Sequence, residues 1–390
     1  MDFFIEVAHG TLIKHGEELP GDMVNVVRLE DCTIIVLADG LGSGVKANIL
    51  ATLTSKIAGT MLKEGADIYE TVDTIANTLP VCKVRNIAYS TFTIIKIYNN
   101  GEAYIAEYDN PPFFAMRNGE SMEISKKKSI INDKVIKESN LVLQEDDVLT
   151  VVSDGVIHAG LGEILNLGWQ WKDVEAYLKK RTSSNLNVQV VAKDLLEACW
   201  DLYCRKPGDD TTVVSIKVRK PSFVNLFTGP PKDKEKDSMV IKNFMDAPGK
   251  KVICGGTAAN IAERELGRKL KVNLEFFNKD VPPTATMEGI DLITEGVLTL
   301  SMVIEKIKKY LNPSSKNIEY IDCDGKDGVS SLVKILMEDC THLNLWVGMA
   351  VNPAHQNPDF PADLSIKLKL VGELYNQMKA LGKKVHINYV

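Results

Sequence analysis

The sequence predicts an α+β protein in two parts: a larger N-terminal region of antiparallel sheets covered by helices, then a smaller α/β region. Three observations predict this. The β-rich runs over residues 1 to about 218 are joined by the turn signals Asn99-Asn100-Gly101 and Asn118-Gly119, and hairpins make antiparallel neighbours. The helical blocks of this region come in pairs instead of following each strand, which fits helices packed on sheets. Past about residue 250 the rhythm changes to strand–helix alternation.

The elements follow in order. Strands are expected at Met23 to Arg28, Thr33 to Ala38, Ser90 to Tyr98, Ala103 to Tyr108, Phe113 to Arg117, Val148 to Ser153 and Thr211 to Val218. Helices are expected at Val45 to Lys63, Ile68 to Leu79, Lys172 to Arg181 and Asn187 to Tyr203. These make a first domain of residues 1–220. Residues 221–238 read as a linker, because Pro221, Gly229, Pro230 and Pro231 precede an alternating charge run, Lys232 to Asp237. Residues 239–390 make the second domain. Lys251 to Gly255 is a strand, Thr257 to Arg268 a helix, Leu343 to Val351 apolar, Leu364 to Leu381 a helix and Val385 to Tyr389 a closing strand.

The chain has 390 residues, 45% hydrophobic and 25% charged, enough for two or three domains with a sizeable core. A net charge of -6 argues against a nucleic-acid surface, which needs clustered Lys and Arg. Lys126-Lys127-Lys128 is the only strong basic run and reads as a solvated loop. The seven cysteines are scattered with no CxxC pair, so neither a zinc site nor a disulfide framework is expected. The first residues lack the pattern of a signal peptide, and no apolar window approaches the length of a membrane span. A reduced, cytoplasmic protein without a membrane partner is expected.

The chemistry lies at strand ends. Val36 to Asp39 is an apolar strand ending in an acid, followed by three glycines in Gly40 to Gly44. Val151-Val152-Ser153-Asp154-Gly155 repeats the design, Gly21-Asp22 precedes a strand, and Gly208-Asp209-Asp210 precedes the last strand of the region. Hard divalent cations want carboxylate oxygens, backbone carbonyls and waters. Glycine lets a backbone carbonyl approach an ion with no Cβ in the way. One Asp-Gly is an ordinary turn; four acidic spots beside glycine in one domain are specific. A phosphate cradle is the weaker reading of Gly40 to Gly44, since no Lys-Ser/Thr follows and the spacing is not GxGxxG.

These segments resemble a known family. The ordered set Gly21-Asp22, "ADGLGSGVKA" at 38–47, "DNPPFF" at 109–114, "SDG" at 153–155 and "GDDTTVV" at 208–214 is similar to metal-dependent PP2C-type (PPM) Ser/Thr protein phosphatases, in particular the bacterial sporulation stage II protein E subgroup. The resemblance spans residues 1–218. It implies an αββα sandwich of two antiparallel sheets flanked by helices, with a two-metal centre of Mn²⁺ or Mg²⁺ at one edge. By position it implies Asp22 and Asp39 as metal ligands, with Asp39 bridging both ions and so carrying the catalysis. Gly40 is implied as a backbone-carbonyl ligand, and Asp154 and Asp209 as ligands on the second ion's side. Asp210 stands where relatives carry Asp or Asn and is placed beside the ligands. The phosphate-gripping Arg of eukaryotic members has no equivalent here, since Arg28 lies inside a strand, and the bacterial subgroup often lacks it.

What the resemblance implies is hydrolysis of phosphoserine or phosphothreonine on a bacterial regulatory protein, by a water that two metal ions activate. The partner it suggests is a STAS-type anti-sigma-factor antagonist. A catalytically silent scaffold and a metal-dependent phosphohydrolase of a small phosphorylated molecule are the rival readings. His9 is a candidate proton donor, but a minor one, and His158 reads as a packed or exposed histidine near Asp154. The second domain faintly resembles the extension of phosphatases encoded near iron hydrogenases, which implies a regulatory or docking role. Cys254, Cys323 and Cys340 are expected to be plain buried cysteines rather than redox groups. Val252 to Asn260 reads as a tight βα connection, with anion binding at the helix start as the alternative. Asp322 to Gly328 is Asp-rich but lacks the acid an EF-hand needs, so it reads as a helix-starting loop.

Overall fold

The structure is a computed structural model, and it describes residues 2–78, 90–182, 187–273, 282–311, 325, 327–350 and 366–390. The chain divides into two compact units, Met1–Lys220 and Pro221–Val390.

The first unit runs β1 (Phe4–Leu12), β2 (Asp22–Arg28), β3 (Cys32–Gly40), α1 (Gly44–Lys63), α2 (Ile68–Thr78), β4 (Ser90–Tyr98), β5 (Glu102–Tyr108), β6 (Phe114–Arg117), β7 (Glu120–Ser121), β8 (Lys127–Ile131), β9 (Lys134–Val142) and β10 (Val148–Val152). It closes with α3 (Asp154–Ile157), α4 (Trp171–Thr182), α5 (Val188–Leu202) and β11 (Thr211–Arg219). Among the described residues one sheet has the order β1-β11-β10-β6-β7 and the other β2-β3-β4-β5-β9-β8, every pairing antiparallel.

Strand β3 shows why this is a four-layer αββα sandwich. Alternate residues of a strand face opposite sides of its sheet. Ile34, Val36 and Ala38 pack with Ala51, Ala58 and Val72 of α1 and α2, while Ile35 and Leu37 pack with Val151, Val214 and Ile216 of the other sheet. A strand covered on both faces reads as a continuous apolar run instead of an alternating one, and Cys32 to Ala38 is buried throughout. Helices α4 and α5 cover the far face of the first sheet, with Leu195 and Cys199 buried there. Asn118 and Gly119 both have positive φ, 51° and 76°, as a two-residue hairpin turn requires.

The "DNPPFF" segment has a structural task. Asn110 is buried and donates to Thr93 Oγ1 (2.9 Å) and to the carbonyl of Val152 (3.2 Å), tying β4 of one sheet to the end of β10 of the other.

One expectation is corrected in this unit, and one strand is added to those expected. Lys126–Lys128 is no solvated loop: Lys127 opens β8, and Lys126 pairs with the buried Glu107 while its ammonium lies 4.7 Å from the Phe113 ring centre. A run of like charges is split by structure when one member finds a buried carboxylate. The N-terminal segment, which is not among the expected strands, is β1, the edge strand beside β11. The end of the predicted helix at Leu79 lies outside the described residues.

The second unit runs β12 (Phe223–Thr228), α6 (Asp237–Asp246), β13 (Lys250–Cys254), α7 (Gly256–Leu266), β14 (Lys271–Val272), β15 (Ala285–Met287) and β16 (Ile290–Thr294). Then come α8 (Val297–Leu311), α9 (Gly328–Lys334), β17 (His342–Val347), α10 (Ile366–Ala380) and β18 (Lys384–Tyr389). Its sheet has the order β14-β15-β16-β13-β12-β17-β18, parallel from β16 to β18 with an antiparallel hairpin at one edge. Helices α6 and α7 cover one face around Phe244, and α8, α9 and α10 cover the other.

This overturns the linker at 221–238. Phe223–Thr228 is the central strand, between β13 and β17, and Val224, Leu226 and Phe227 are fully buried. Pro221 precedes this strand, while Pro230, Pro231 and the charge run belong to the connection after it and to the start of α6. Cys254 and Cys340 are buried in the core, while Cys323 lies outside the described residues. Gly255 has φ 118° and faces Gly296, so the Val252 to Asn260 segment is a tight strand-to-helix turn. Asp327 caps α9 by accepting from the Val329 and Ser330 amides (2.9 Å each), as a helix-starting loop should; Asp322–Asp324 lie outside the described residues.

Candidate metal centre

The predicted site residues of the first unit come together at one end of the sandwich. Asp22 opens β2 and Asp39 closes β3, and the two are direct partners across the antiparallel ladder. That register places both carboxylates at the same sheet edge. The other sheet brings its own acids to this end. Asp154 starts α3 just past β10, and Asp209 and Asp210 precede β11, the neighbour of β10. The Ser153 amide donates to the Thr212 carbonyl (3.0 Å) and the Thr212 amide to Ser153 Oγ (2.8 Å), which locks the two segments side by side.

Glycine is needed here for close approach. A Cβ on Gly40 would stand 2.1 Å from the Ala47 carbonyl oxygen, and one on Gly155 would stand 2.2 Å from the Asp210 carbonyl oxygen. A Cβ on Gly21 would meet Asp210 Oδ2 at 2.9 Å. The glycines beside the acids therefore let helix starts and turns crowd the strand ends. Tyr203, donating to the Gly155 carbonyl at 2.7 Å, braces the same turn from α5's end.

The electrostatics are those of gathered like charges. Asp39 is pushed up to about 9, by burial first and then by Asp22, Asp154, Asp209 and Asp210. Asp22 is pushed up to about 7, chiefly by burial, with Asp210 and Asp154 adding to it. The Ser153 and Thr212 hydroxyls stand near enough to temper that rise, yet neither closes a hydrogen bond with Asp22, whose two carboxylate oxygens are both buried without a partner. Asp154 is raised by burial and by Asp209, against the pull of His158 and Lys14. Asp210 is raised by burial, against the amides of Lys14 and Gly21, and its Oδ2 is also buried and unpartnered.

Buried carboxylate oxygens without partners cost free energy unless something cationic or hydrogen-bonding meets them. The donor set is all oxygen, which suits Mg²⁺ or Mn²⁺ and not a soft metal. Among the described residues no three His, Cys, Asp or Glu side chains already stand in ligating geometry. The fit is therefore one of donor type, charge and convergence, and closing on an ion takes side-chain rotation.

Sequence reasoning underrated two neighbours. His158 Nδ1 lies 3.8 Å from Asp154 Oδ2, one helical turn away, with its ring half-exposed. Lys14, between β1 and β2, reaches Asp209 with its ammonium at 3.6 Å, and its amide donates to Asp210 Oδ1 at 3.1 Å. A lysine in a loop eight residues before Asp22 carries no sequence signal of this. His9 lies on β1, opposite Val214, with a surface-accessible ring whose pKa is nonetheless pushed down by the protein packed around it.

Comparison with known proteins follows the same outline. Residues 30–219 match the family model described as Stage II sporulation protein E. The match begins after β2 and so leaves Asp22 to be argued from geometry alone. No curated protein matches the chain. Among solved structures, the PP2C phosphatase domain with a fragment of the regulatory domain of the Bacillus subtilis cell fate determinant SpoIIE is 20% identical, with a TM-score of 0.48 over 56% of this chain and 63% of that one. This chain thus spans less than two thirds of that relative. The RsbU and RsbW domains of a Mycobacterium tuberculosis protein are 14% identical, with a TM-score of 0.49 over 63% of this chain and 68% of theirs. RsbX in complex with magnesium is 17% identical, with a TM-score of 0.40 over 55% of this chain and 95% of its own. At these scores the assignment rests on the family model. Residues 30–219, within the first unit, are thus similar to the stage II sporulation protein E family.

Proposed function

We propose that this protein is a metal-dependent serine/threonine protein phosphatase. The observation that carries the reading is the convergence of Asp22, Asp39, Asp154, Asp209 and Asp210 from four separate strand ends, with both oxygens of a buried Asp22 left unpartnered. Asp22, Asp39, Asp154 and Asp209 would hold two Mn²⁺ or Mg²⁺ ions, with the Gly40 carbonyl as a further donor. Bound there, the ions would supply Lewis acidity, acidifying a water and neutralising phosphoryl oxygens.

The chain's own residues do the rest. Asp39, at the centre of the cluster's mutual repulsion, is the carboxylate best placed to serve both ions. Asp210 is pinned by the Lys14 amide and orients its neighbour Asp209, whose Oδ1 accepts from the Asp210 amide at 3.0 Å. His158 beside Asp154 is within reach of a proton at the mouth of the site. No protein nucleophile is required.

The substrate is read as phosphoserine or phosphothreonine on a bacterial regulatory protein, with a STAS-type anti-sigma-factor antagonist as the partner to try first. Support for a regulatory partner is indirect: similar chains include the RsbU domain and a protein described as part of the bacterial stressosome. Release of phosphate from a phosphoserine peptide but not from a nucleotide, with Mn²⁺ or Mg²⁺ present, tests the reading. Phosphate release from nucleotides alone would move it to the small-molecule phosphohydrolase, and none from either to the silent scaffold.

A further inference from the structure

The charge balance of the metal centre is incomplete without a cation from the protein. With two dications bound, the five clustered carboxylates would leave one negative charge over, and a phosphate monoester would bring one or two more. Among the described residues the Lys14 ammonium acts on Asp154, Asp209 and Asp210, and the His158 ring stands beside Asp154.

Lys14 is built into the site at its backbone and loose at its tip. Its amide donates to Asp210 Oδ1 (3.1 Å), the next amide, of His15, donates to the Pro207 carbonyl (2.8 Å), and the Lys14 carbonyl accepts from Glu17 (3.0 Å). Glu17 in turn accepts from Ser43 Oγ (2.9 Å) in the glycine-rich turn after β3. The loop is thus stitched to both acid-bearing turns. The ammonium meets Asp209 at 3.6 Å, beyond a good hydrogen bond, and both side chains are about one-third exposed, 34% and 38%. Such a pair contributes little to stability. A fold that anchors a lysine's backbone this firmly and leaves its charge half-engaged holds that charge for something else.

We propose that Lys14 binds the phosphoryl group of the substrate, exchanging its pairing with Asp209 for the non-bridging oxygens. The proposal rests on the phosphatase reading of the same site and names the residue that grips the substrate's anion. Lys14 is distinct from the metal-holding set, because its ammonium cannot ligate a cation. Its loss should therefore act on anion binding and not on metal binding.

The test uses the full chain with Mn²⁺, comparing wild type, Lys14→Met (similar length, no charge) and Lys14→Arg. Inorganic phosphate is the probe, its binding read from the broadening of the ³¹P line by Mn²⁺. Mn²⁺ affinity is measured separately by calorimetry. Losing one charge-assisted bond should weaken phosphate binding about tenfold or more in Lys14→Met and raise KM for p-nitrophenyl phosphate by a similar factor. The Mn²⁺ affinity should be unchanged or slightly tighter, and Lys14→Arg should recover most of the loss. Phosphate binding and KM unchanged in Lys14→Met would overturn the proposal. So would Mn²⁺ affinity falling in step with them, or no phosphate binding by the wild type. Phosphate binding that depends on Lys14 in a protein without turnover would uphold the proposal and sink the catalytic reading instead.

Discussion

At the scale of single residues, the account turns on carboxylates held at a cost. Asp39 carries the largest share of the cluster's repulsion, so Asp39→Asn should abolish turnover, by three orders of magnitude or roughly that. The same change should raise the thermal midpoint of the metal-free protein near neutral pH, because the fold must keep Asp39 protonated up to about 9, at a cost an amide does not carry. Scanning calorimetry in EDTA reads the second effect, and a midpoint that falls would contradict the electrostatics described for the site. These aspartates were legible in the sequence because each ends or begins a strand beside glycine, a pattern that survives without any knowledge of the fold. Lys14 was not legible. Nothing in "LIKHGEELPG" distinguishes it from a solvated loop lysine; what recruits it is an amide-to-carboxylate bond to Asp210, 196 residues later.

At the scale of elements, close approach decides which residues are tolerated. Gly40→Ala forces a Cβ into the Ala47 carbonyl, backbone against backbone, so the start of α1 must shift away from the end of β3. A cost of about 2 kcal/mol or more is expected, read as a lower denaturation midpoint, together with weaker Mn²⁺ binding. Gly155→Ala should behave alike through the Asp210 carbonyl. If either variant matches wild type in both stability and Mn²⁺ affinity, the tight approach is not what the glycines are for. Elements with one strong signal were read well: β3 by its apolar run, β4 and β5 by their Asn-Asn-Gly turn. Others were hidden for physical reasons. Strand β12 is only six residues long, four of them apolar, sits between prolines, and is buried on both faces by helices that follow it in the chain. Strands β8 and β9 have exposed apolar residues, Ile130, Val135 and Val142, where an inward-outward alternation was the signal sought. The sheet pairing that makes them strands is non-local.

At the scale of the whole molecule, the two units and the charge cluster set the behaviour. No helix among the described residues is long and apolar enough to cross a membrane. The unit boundary at Lys220, not a linker reaching past Pro230, is where the chain should be cut: residues 1–220 should give a cooperatively folding fragment, whereas a cut at Pro230 leaves β12 without its neighbours. A fragment 1–220 with no cooperative melt would contradict the division, and its turnover relative to the full chain reads any regulation by the second unit. The cluster also sets a pH dependence. Asp22 and Asp39 hold their protons to about 7 and about 9 in the fold but ionise near the ordinary 3.8 once unfolded. The native state therefore binds more protons across that window, and the metal-free protein should lose stability as pH rises from about 4 to about 9, less steeply in Asp39→Asn. Saturating Mn²⁺ should flatten the curve. The most direct test of the central claim is phosphate release from p-nitrophenyl phosphate and a phosphoserine peptide, with EDTA, Mg²⁺ and Mn²⁺ in turn. The account predicts turnover with a divalent cation that disappears in EDTA and in Asp39→Asn. Turnover that persists in either would contradict it.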